Sequence, residues 1–213
     1  GATVNAPSDV RDTRPLSVKR SAATPGSPLL PVGDPMLAGI GPGSYAQRRT
    51  TPEIDSHGHP KIVPLRVTAG FSIAKRDADP RGYALVGCDG QTAGTVSDVW
   101  VDRPEALIRY YEATLAGGRT VLVPASMLKV KAKQKAIVVD AITAAQFANV
   151  PTTANATTIT LDEEERICAY YGGGFLYALA QADLIGAAPG LHGHFKGLCH
   201  AHGIRRHGDG SVH

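Results

Sequence analysis

The stretch that decides the fold is residues 86–112, which read V-G-C-D-G-Q-T-A-G-T-V-S-D-V-W-V-D-R-P-E-A-L-I-R-Y-Y-E. Asp89–Gly90 is a turn signal, and it precedes Thr95–Val101, which is rich in β-branched residues. Pro104 marks a second turn, and in Leu107–Leu115 the side chains alternate between the two faces of an extended chain. The stretch therefore predicts two neighbouring β-strands joined by a turn.

The same pattern continues on the C-terminal side of this pair. Thr120–Val123 and Ala136–Val139 are further strand candidates, and turn signals stand at Gly117–Gly118 and in K-A-K-Q-K at 131–135. Short antiparallel strands with tight turns predict a mainly β fold, either a small closed barrel or a half-open sheet. We assign residues 54–150 to this β unit.

The first 53 residues have a different character. Segments such as T-P-G-S-P-L-L-P-V-G-D-P, rich in Pro and Gly, do not sustain a helix, because Pro lacks the amide donor and Gly is entropically costly to fix. We expect residues 1–53 to be extended. Scattered apolar side chains indicate that the segment packs on partner proteins rather than serving as a solvated linker: Leu29, Leu30, Val32, Met36 and Leu37.

One helix is predicted, over residues 160–181 within a C-terminal region that spans 151–185. Thr160 and Glu163 have the spacing of a capping box, and acidic residues occupy the first turn. Residues 186–213 are rich in His and show no core pattern, so we expect a disordered tail there.

Composition limits the classes of function. Lys and Arg total 22 against 19 Asp and Glu, so the net charge of +3 gives no indication of nucleic-acid binding. The three cysteines are far apart and predict no disulfide framework, which is typical of a reducing compartment. The chain begins with Gly1 and contains no signal peptide pattern and no run of about 20 apolar residues. We expect no membrane anchor in this sequence.

The first candidate site is the segment D-S-H-G-H, which holds Asp55, His57 and His59. On an extended chain, alternate residues face the same side, so these three groups would converge. Carboxylate and imidazole bind divalent metals, and imidazole also exchanges protons near neutral pH. The segment is therefore a metal site, a proton-collecting site, or an exposed polar turn without a role.

The second candidate site is the trio of Asp102, Glu105 and Arg109. Asp102 ends one predicted strand, Glu105 follows the turn at Pro104, and Arg109 points back from the next strand. Such a trio can relay protons if it is partly buried near water. The alternative is a structural salt-bridge cluster.

Several motifs, in order along the chain, resemble the H subunit of the photosynthetic reaction centre of purple bacteria. The resemblance covers roughly residues 33 to 180. The matching motifs are G-D-P-M-L-A-G-I-G-P-G-S-Y-A-Q-R-R at 33–49, P-E-I-D-S-H-G-H-P-K-I at 52–62, A-G-F-S-I-A at 69–74, G-C-D-G-Q-T-A-G-T-V-S-D-V-W-V-D-R-P-E at 87–105, and L-D-E-E-E-R-I-C-A-Y-Y-G-G-G-F-L-Y-A at 161–178.

The resemblance implies a PRC-type β-barrel with an extended N-terminal segment and a C-terminal helix. It also implies an accessory, non-catalytic subunit that caps the L and M subunits at the cytoplasmic face of the photosynthetic membrane and contacts lipids at its surface. By the same resemblance the chain lacks the family's N-terminal transmembrane helix. Bacteriochlorophyll, bacteriopheophytin, quinones and non-haem iron belong to L and M, and we expect no cofactor in this chain.

The resemblance further implies that the chain conducts protons to the secondary quinone. Asp55, His57 and His59 then fall on the family's proton entry, and Asp102, Glu105 and Arg109 fall on its relay. In that case a divalent ion at the entry residues would be adventitious.

Two other functions remain open at this point. The first is a free-standing PRC-barrel adaptor like ribosome-maturation factors, which would share the barrel but not residues 33–62 or the helix at 161–178. The second is a metal-dependent hydrolase that uses the entry residues, although partner motifs such as H-E-x-x-H are missing from the sequence.

Overall fold

The computed structural model of the chain describes residues 14–185 and 204–206. Most of the predicted tail and the first part of the predicted extended segment lie outside these residues. In chain order the elements are β1 Val18–Arg20, β2 Leu29–Pro31, β3 Ile62–Pro64, β4 Phe71–Ile73, β5 Ala84–Val86, β6 Thr92–Asp102, β7 Leu107–Leu115, β8 Thr120–Pro124, β9 Lys129–Lys131, β10 Ala136–Val138, α1 Leu161–Ile185 and β11 Ile204–Arg206. The predicted mainly β fold with one C-terminal helix is confirmed.

Seven strands form the main sheet, in the order β8-β7-β6-β5-β10-β9, with β3 also pairing with β6. Within the described residues the sheet is not closed, so the half-open alternative is the correct one there and the closed barrel is not observed. The pairing is antiparallel except between β5 and β10, which run parallel. A parallel pair needs a long crossover, and β6 to β9 provide it here.

Strands β6 and β7 form the longest pair, as the sequence predicts. Their register shifts twice, between Val96 and Asp98 and between Trp100 and Val101. Such bulges increase the local twist, which lets a long pair wrap around a core. Both faces of β7 are covered at its centre, because Tyr110 and its next three neighbours are all buried. Simple alternation therefore does not describe the burial of this strand.

The helix α1 closes one side of the sheet. Its capping box is confirmed: the N–H of Glu163 donates to Thr160 Oγ1 over 3.2 Å, and a Glu163 carboxylate oxygen accepts from the N–H of Thr160 over 2.8 Å. The hydroxyl of Tyr171 reaches the carbonyl oxygen of Leu122 in β8 over 3.1 Å. A Cβ placed on Gly174 would lie 2.3 Å from the carbonyl oxygen of Ala141. The missing side chain of Gly174 therefore allows α1 to pack directly against the backbone of Ala141.

Outside the main sheet lie two small pairings. Strands β1 and β2 form a hairpin within the predicted extended segment, whose described part contains no α-helix. Strand β11 pairs with β4, so residues 204–206 of the tail are a strand, where disorder was expected.

Candidate functional site

The segment from Asp55 to His59 is a closed turn and not an extended strand. One oxygen of the Asp55 carboxylate accepts the backbone N–H groups of His57 and His59, each over 2.9 Å. The N–H of Asp55 donates to the carbonyl oxygen of His59 over 2.8 Å, and Gly58 has a φ of 82°. The predicted extended geometry is wrong, because the short Asp side chain caps backbone amides two and four residues ahead.

The turn still brings the three predicted side chains together. The ring centroids of His57 and His59 are 6.4 Å apart, and Nδ1 of His59 lies 3.7 Å from the Asp55 carboxylate. The His59 side chain is 64 % exposed, whereas that of Asp55 is 17 % exposed. Two imidazoles at the surface thus stand beside one partly covered carboxylate.

The electrostatics of the turn favour an ionised Asp55. The backbone N–H of His59 is the main influence that lowers the pKa of Asp55, and the N–H of His57, charge on His59 and the Arg103 guanidinium act in the same direction. Partial burial opposes them. The net effect is a persistent negative charge next to two groups that can take up protons.

Arg103 connects this turn to the second candidate site. Its Nη2 lies 3.3 Å from a carboxylate oxygen of Asp55 and donates to the carbonyl oxygen of Pro60 over 2.6 Å. Its backbone N–H donates to the carbonyl oxygen of Lys61 over 3.0 Å. Because Arg103 follows Asp102 directly in the chain, it joins the entry turn to the end of β6.

A cavity of about 650 Å³ lies at this junction. The entry residues and Arg103 line one part of it, and apolar side chains line another part, among them Val63, Val67 and Phe71. The cavity gives water a place beside Asp55 and the two imidazoles.

The structure brings two of the three predicted relay residues together. Asp102 is buried, and its carboxylate accepts the backbone N–H of Glu105 over 3.2 Å. Glu105 and Arg109 are exposed. In the described part of the chain, Arg109 forms no ion pair with either acid, so the alternative of a salt-bridge cluster of all three residues is not observed. The reason is that the turn leaves Arg109 on the exposed part of β7, where its positive charge acts on Glu164 of α1.

Four further residues that were not predicted as part of the site form two pairs near the relay: Glu53 with Lys61 and Tyr110 with Glu164. Lys61 donates to a carboxylate oxygen of Glu53 over 2.6 Å, and the hydroxyl of Tyr110 donates to Glu164 over 2.7 Å. The bond to Glu53, together with the charges of Asp102 and Glu105, raises the pKa of Lys61. The acidic run at 162–165 was a signal for Glu164, but it was assigned entirely to the helix dipole.

Glu164 differs from an ordinary surface carboxylate. Burial raises its pKa, and the charges of Glu53 and Asp102 add to that effect, whereas the bond from Tyr110 and the charge of Arg109 oppose it. A carboxyl group with a raised pKa keeps its proton to higher pH than an ordinary surface carboxyl does, which suits it to holding and passing on protons. Glu164 is therefore a candidate member of the relay.

A second cluster, in which an exposed arginine meets buried carboxylates, lies further along the same strands. Arg66 Nη1 donates to Asp98 over 3.1 Å and to Glu112 over 2.9 Å, and its Nη2 donates to the carbonyl oxygen of Ala156. The indole N–H of Trp100 donates to Glu112 over 2.8 Å. This cluster ties the loop at residue 156 to the sheet, and nothing in its sequence spacing indicated it.

The described residues contain no group of three or more His, Cys, Asp or Glu side chains arranged to hold a metal ion. At the entry turn, one Asp55 oxygen is engaged by two backbone amides and the other by Arg103. The geometry of the turn therefore gives no support to a metal-dependent hydrolase. Within the same described residues, no helix combines the length and apolar character that crossing a bilayer requires.

Comparison with protein families gives two matches. The model described as photosynthetic reaction centre, H-chain N-terminal region matches residues 1–67, and the PRC-barrel domain model matches residues 73–146. A free-standing PRC-barrel adaptor does not predict the first match. The open sheet built from β5 to β10 lies largely within the second match, and the entry turn lies within the first. The two matches, side by side along the chain, support its identification as a photosynthetic reaction centre H chain.

Proposed function

We propose that the chain caps the L and M subunits at the cytoplasmic face of the photosynthetic membrane and conducts protons to the secondary quinone during light-driven electron transfer. The observation that carries this proposal is the contact between Arg103 and Asp55, which joins the exposed entry turn to the buried Asp102. The match to the H-chain family supplies the complex in which such a path has a use.

The first step is proton capture at the entry turn. His57 and His59 are exposed, and the ionised Asp55 beside them makes proton uptake from bulk water more favourable. The adjoining cavity leaves room for water beside these side chains.

The next step is transfer inward through carboxylates and intervening water. Glu105 lies at the surface, its backbone is bonded to Asp102, and Asp102 and Glu53 act electrostatically on Glu164. Protein that lacked titratable groups here would block the proton, because an isolated charge is costly to move through a dry interior. Arg109 and Lys61 limit the repulsion between the acids.

In this proposal the chain itself is not the catalyst. The partner subunits hold the pigments, the quinones and the non-haem iron, and they reduce the quinone. This chain supplies binding, shielding and protons. Exposed apolar side chains on the described surface, which include Leu37, Phe175 and Leu176, offer area that the partner subunits would cover.

The direct test is flash-induced proton uptake in the assembled complex with His57→Ala and His59→Ala together. We expect slower uptake after the second flash, most clearly at neutral to high pH, where few protons are available in water. Initial charge separation serves as the internal control, and we expect it to be unchanged. An unaltered uptake rate would remove the entry role.

A second test asks whether the chain binds the L and M subunits. An affinity tag on the chain should recover pigment-bearing L and M subunits from detergent extracts of cells that make the complex. Colourless preparations that contain ribosomal components instead would favour the adaptor function.

A further inference from the structure

The cavity beside the entry turn has a wall made of one continuous piece of chain. Val67 to Phe71 all line the cavity, as do the entry turn and Arg103. This piece, the cavity wall, connects β3 and the short turn after it to β4, and its last residue, Phe71, is the first residue of β4. The position of β4 therefore sets the shape of the cavity on this side.

The two ends of the cavity wall are held in different ways. The hydroxyl of Thr68 donates to the carbonyl oxygen of Pro64 over 2.8 Å, and its backbone N–H donates to the carbonyl oxygen of Leu65 over 3.0 Å. This end is therefore fixed by its neighbours in the chain. Gly70 follows with a φ of 78°, a conformation that glycine adopts without a steric penalty. Beyond this turn, the wall is held through β4.

Strand β4 lies outside the main sheet and pairs with the tail. In the part of the chain that the structure describes, its only strand partner is β11. The two strands are antiparallel, and Arg206 lies opposite Phe71. The last residue of β11 is thus level with the residue of β4 that lines the cavity. A segment far along the chain therefore contacts the end of the cavity wall.

The pairing of β4 with β11 is short, with three residues in each strand. A two-stranded sheet is marginally stable in water, and small peripheral units open at a lower free energy than the core of a domain. Phe71 and Ile73 also pack against the hydrophobic core, which keeps β4 near the body of the protein. Separation of β11 would therefore loosen the cavity wall without unfolding the main sheet.

From this arrangement we propose that the C-terminal tail regulates access to the entry cavity, with β11 as a detachable strand that holds the cavity wall in place. While β11 is paired with β4, the wall covers the inner side of the cavity, where the buried Val63 lies. When β11 separates, the wall moves and solvent reaches that side. The use of this device in proton entry rests on the proposed function, whereas the movement of the wall is tested separately.

The first test is hydrogen exchange in the full chain with Arg205→Pro and Arg206→Pro together. Proline has no N–H, and successive residues of a strand direct their N–H groups to opposite edges, so the pair removes a donor to β4. We expect the amides of residues 68–73 to exchange about tenfold faster, because β4 loses hydrogen bonds to its partner. The amides of β6 and β7 serve as the internal reference and should be unchanged.

The second test measures access to the cavity itself. Val63→Cys places a thiol on the buried side of the cavity, and its labelling by a thiosulfonate reagent can be followed by mass spectrometry of the peptide that contains it. In the otherwise wild-type chain we expect slow labelling. With the proline pair in the tail, labelling at this position should become several times faster.

Two variants are matched controls. Arg205→Gln with Arg206→Gln removes the same charges but keeps both backbone N–H groups. Ala187→Pro with Ala188→Pro adds the same number of prolines to the tail outside β11. We expect both to exchange and label like the wild type. A chain that ends at Gly203 lacks β11 and should behave like the proline pair, and thermal melting establishes that each variant folds.

Three results would overturn the proposal. The first is unchanged exchange of residues 68–73 in both the proline pair and the shortened chain. The second is an equal acceleration in either control. The third is faster exchange with unchanged labelling of the introduced thiol, which would mean that β11 pairs with β4 without affecting the cavity. Because these assays contain no quinone and need no light, failure of proton conduction would leave their outcome unaffected.

Discussion

The guanidinium group of Arg103 lies 3.3 Å from a carboxylate oxygen of Asp55, although 48 residues separate them in the chain. Arg103 also holds the carbonyl oxygen of Pro60, so a single side chain fixes both ends of the entry turn. Its position directly after Asp102 couples this turn to the buried acid at the end of β6.

Arg103→Gln should raise the pKa of Asp55 towards its ordinary value, but only modestly, because the amides of His59 and His57 remain. The stability from a depressed carboxyl pKa is present above the unfolded-state pKa and is lost as the pH falls through the folded-state pKa. The variant should therefore lose less stability on acidification. NMR titration of the Asp55 carboxyl carbon measures the shift.

Arg103→Lys is a control that separates the effect of the positive charge from the effect of the hydrogen-bond geometry. It keeps the positive charge near Asp55 but loses the planar pair of donors to Pro60. We expect a pKa of Asp55 close to that of the wild type together with a looser turn. An Asp55 pKa that is the same in all three proteins would contradict the electrostatic role of Arg103.

Arg66→Met should be destabilising. It would leave Asp98 and Glu112, both buried, without their shared cation. The Arg66 side chain is itself 40 % exposed, but its removal leaves buried carboxylates without a donor, which costs about 1–3 kcal/mol. Chemical denaturation followed by the fluorescence of Trp100, which donates to Glu112, measures the loss.

Arg81→Met is the matched control for this variant. Its partner Asp79 is 43 % exposed, and exposed pairs contribute less than about 1 kcal/mol. Equal losses in the two variants would mean that burial of the Arg66 cluster has no energetic consequence.

Gly174→Ala should destabilise the chain by about 3 kcal/mol through overpacking. The new methyl group would meet the backbone of Ala141 at 2.3 Å and Ile142 Cγ2 at 2.5 Å, so backbone would have to move. Gly117→Ala is the control, because no heavy atom lies within 4 Å of a Cβ built at that position. Thermal unfolding of both variants decides the point, and an unchanged melting temperature for Gly174→Ala would refute the close approach of α1.

Glu164→Gln should change how stability depends on pH. Burial raises the pKa of Glu164, so the contribution of this group to stability is fully present below its unfolded-state pKa and is lost as the pH rises through its folded-state pKa. Gln carries no proton to lose and still accepts from Tyr110. The melting temperature of the variant should therefore rise relative to the wild type across that window.

Glu165→Gln provides the comparison for this change. Glu165 is the next residue of the same helix and pairs with the exposed Arg48. Parallel melting curves for the wild type and Glu164→Gln at all pH values would show that burial of Glu164 has no effect on its titration.

Local sequence patterns predicted the secondary-structure elements but not all of the strand pairing or the geometry of the entry turn. Alternation predicted the strand pair β6–β7, and the Thr160–Glu163 spacing predicted the start of α1. The parallel pair of β5 and β10 was not predicted, because pairing between distant strands leaves no trace in a short window. The entry turn was assigned an extended geometry because spacing alone does not reveal that an Asp side chain caps the backbone.

The sequence by itself determined the types of residue available for proton chemistry and the order of strands and helix in the chain. Only the tertiary structure decided which of them meet. Arg103 reaches Asp55, Tyr110 reaches Glu164 and Arg66 reaches Glu112 across long separations in sequence. The physical reason is that strand and helix periodicities encode the face on which a side chain lies, whereas the partner on that face depends on how distant elements pack.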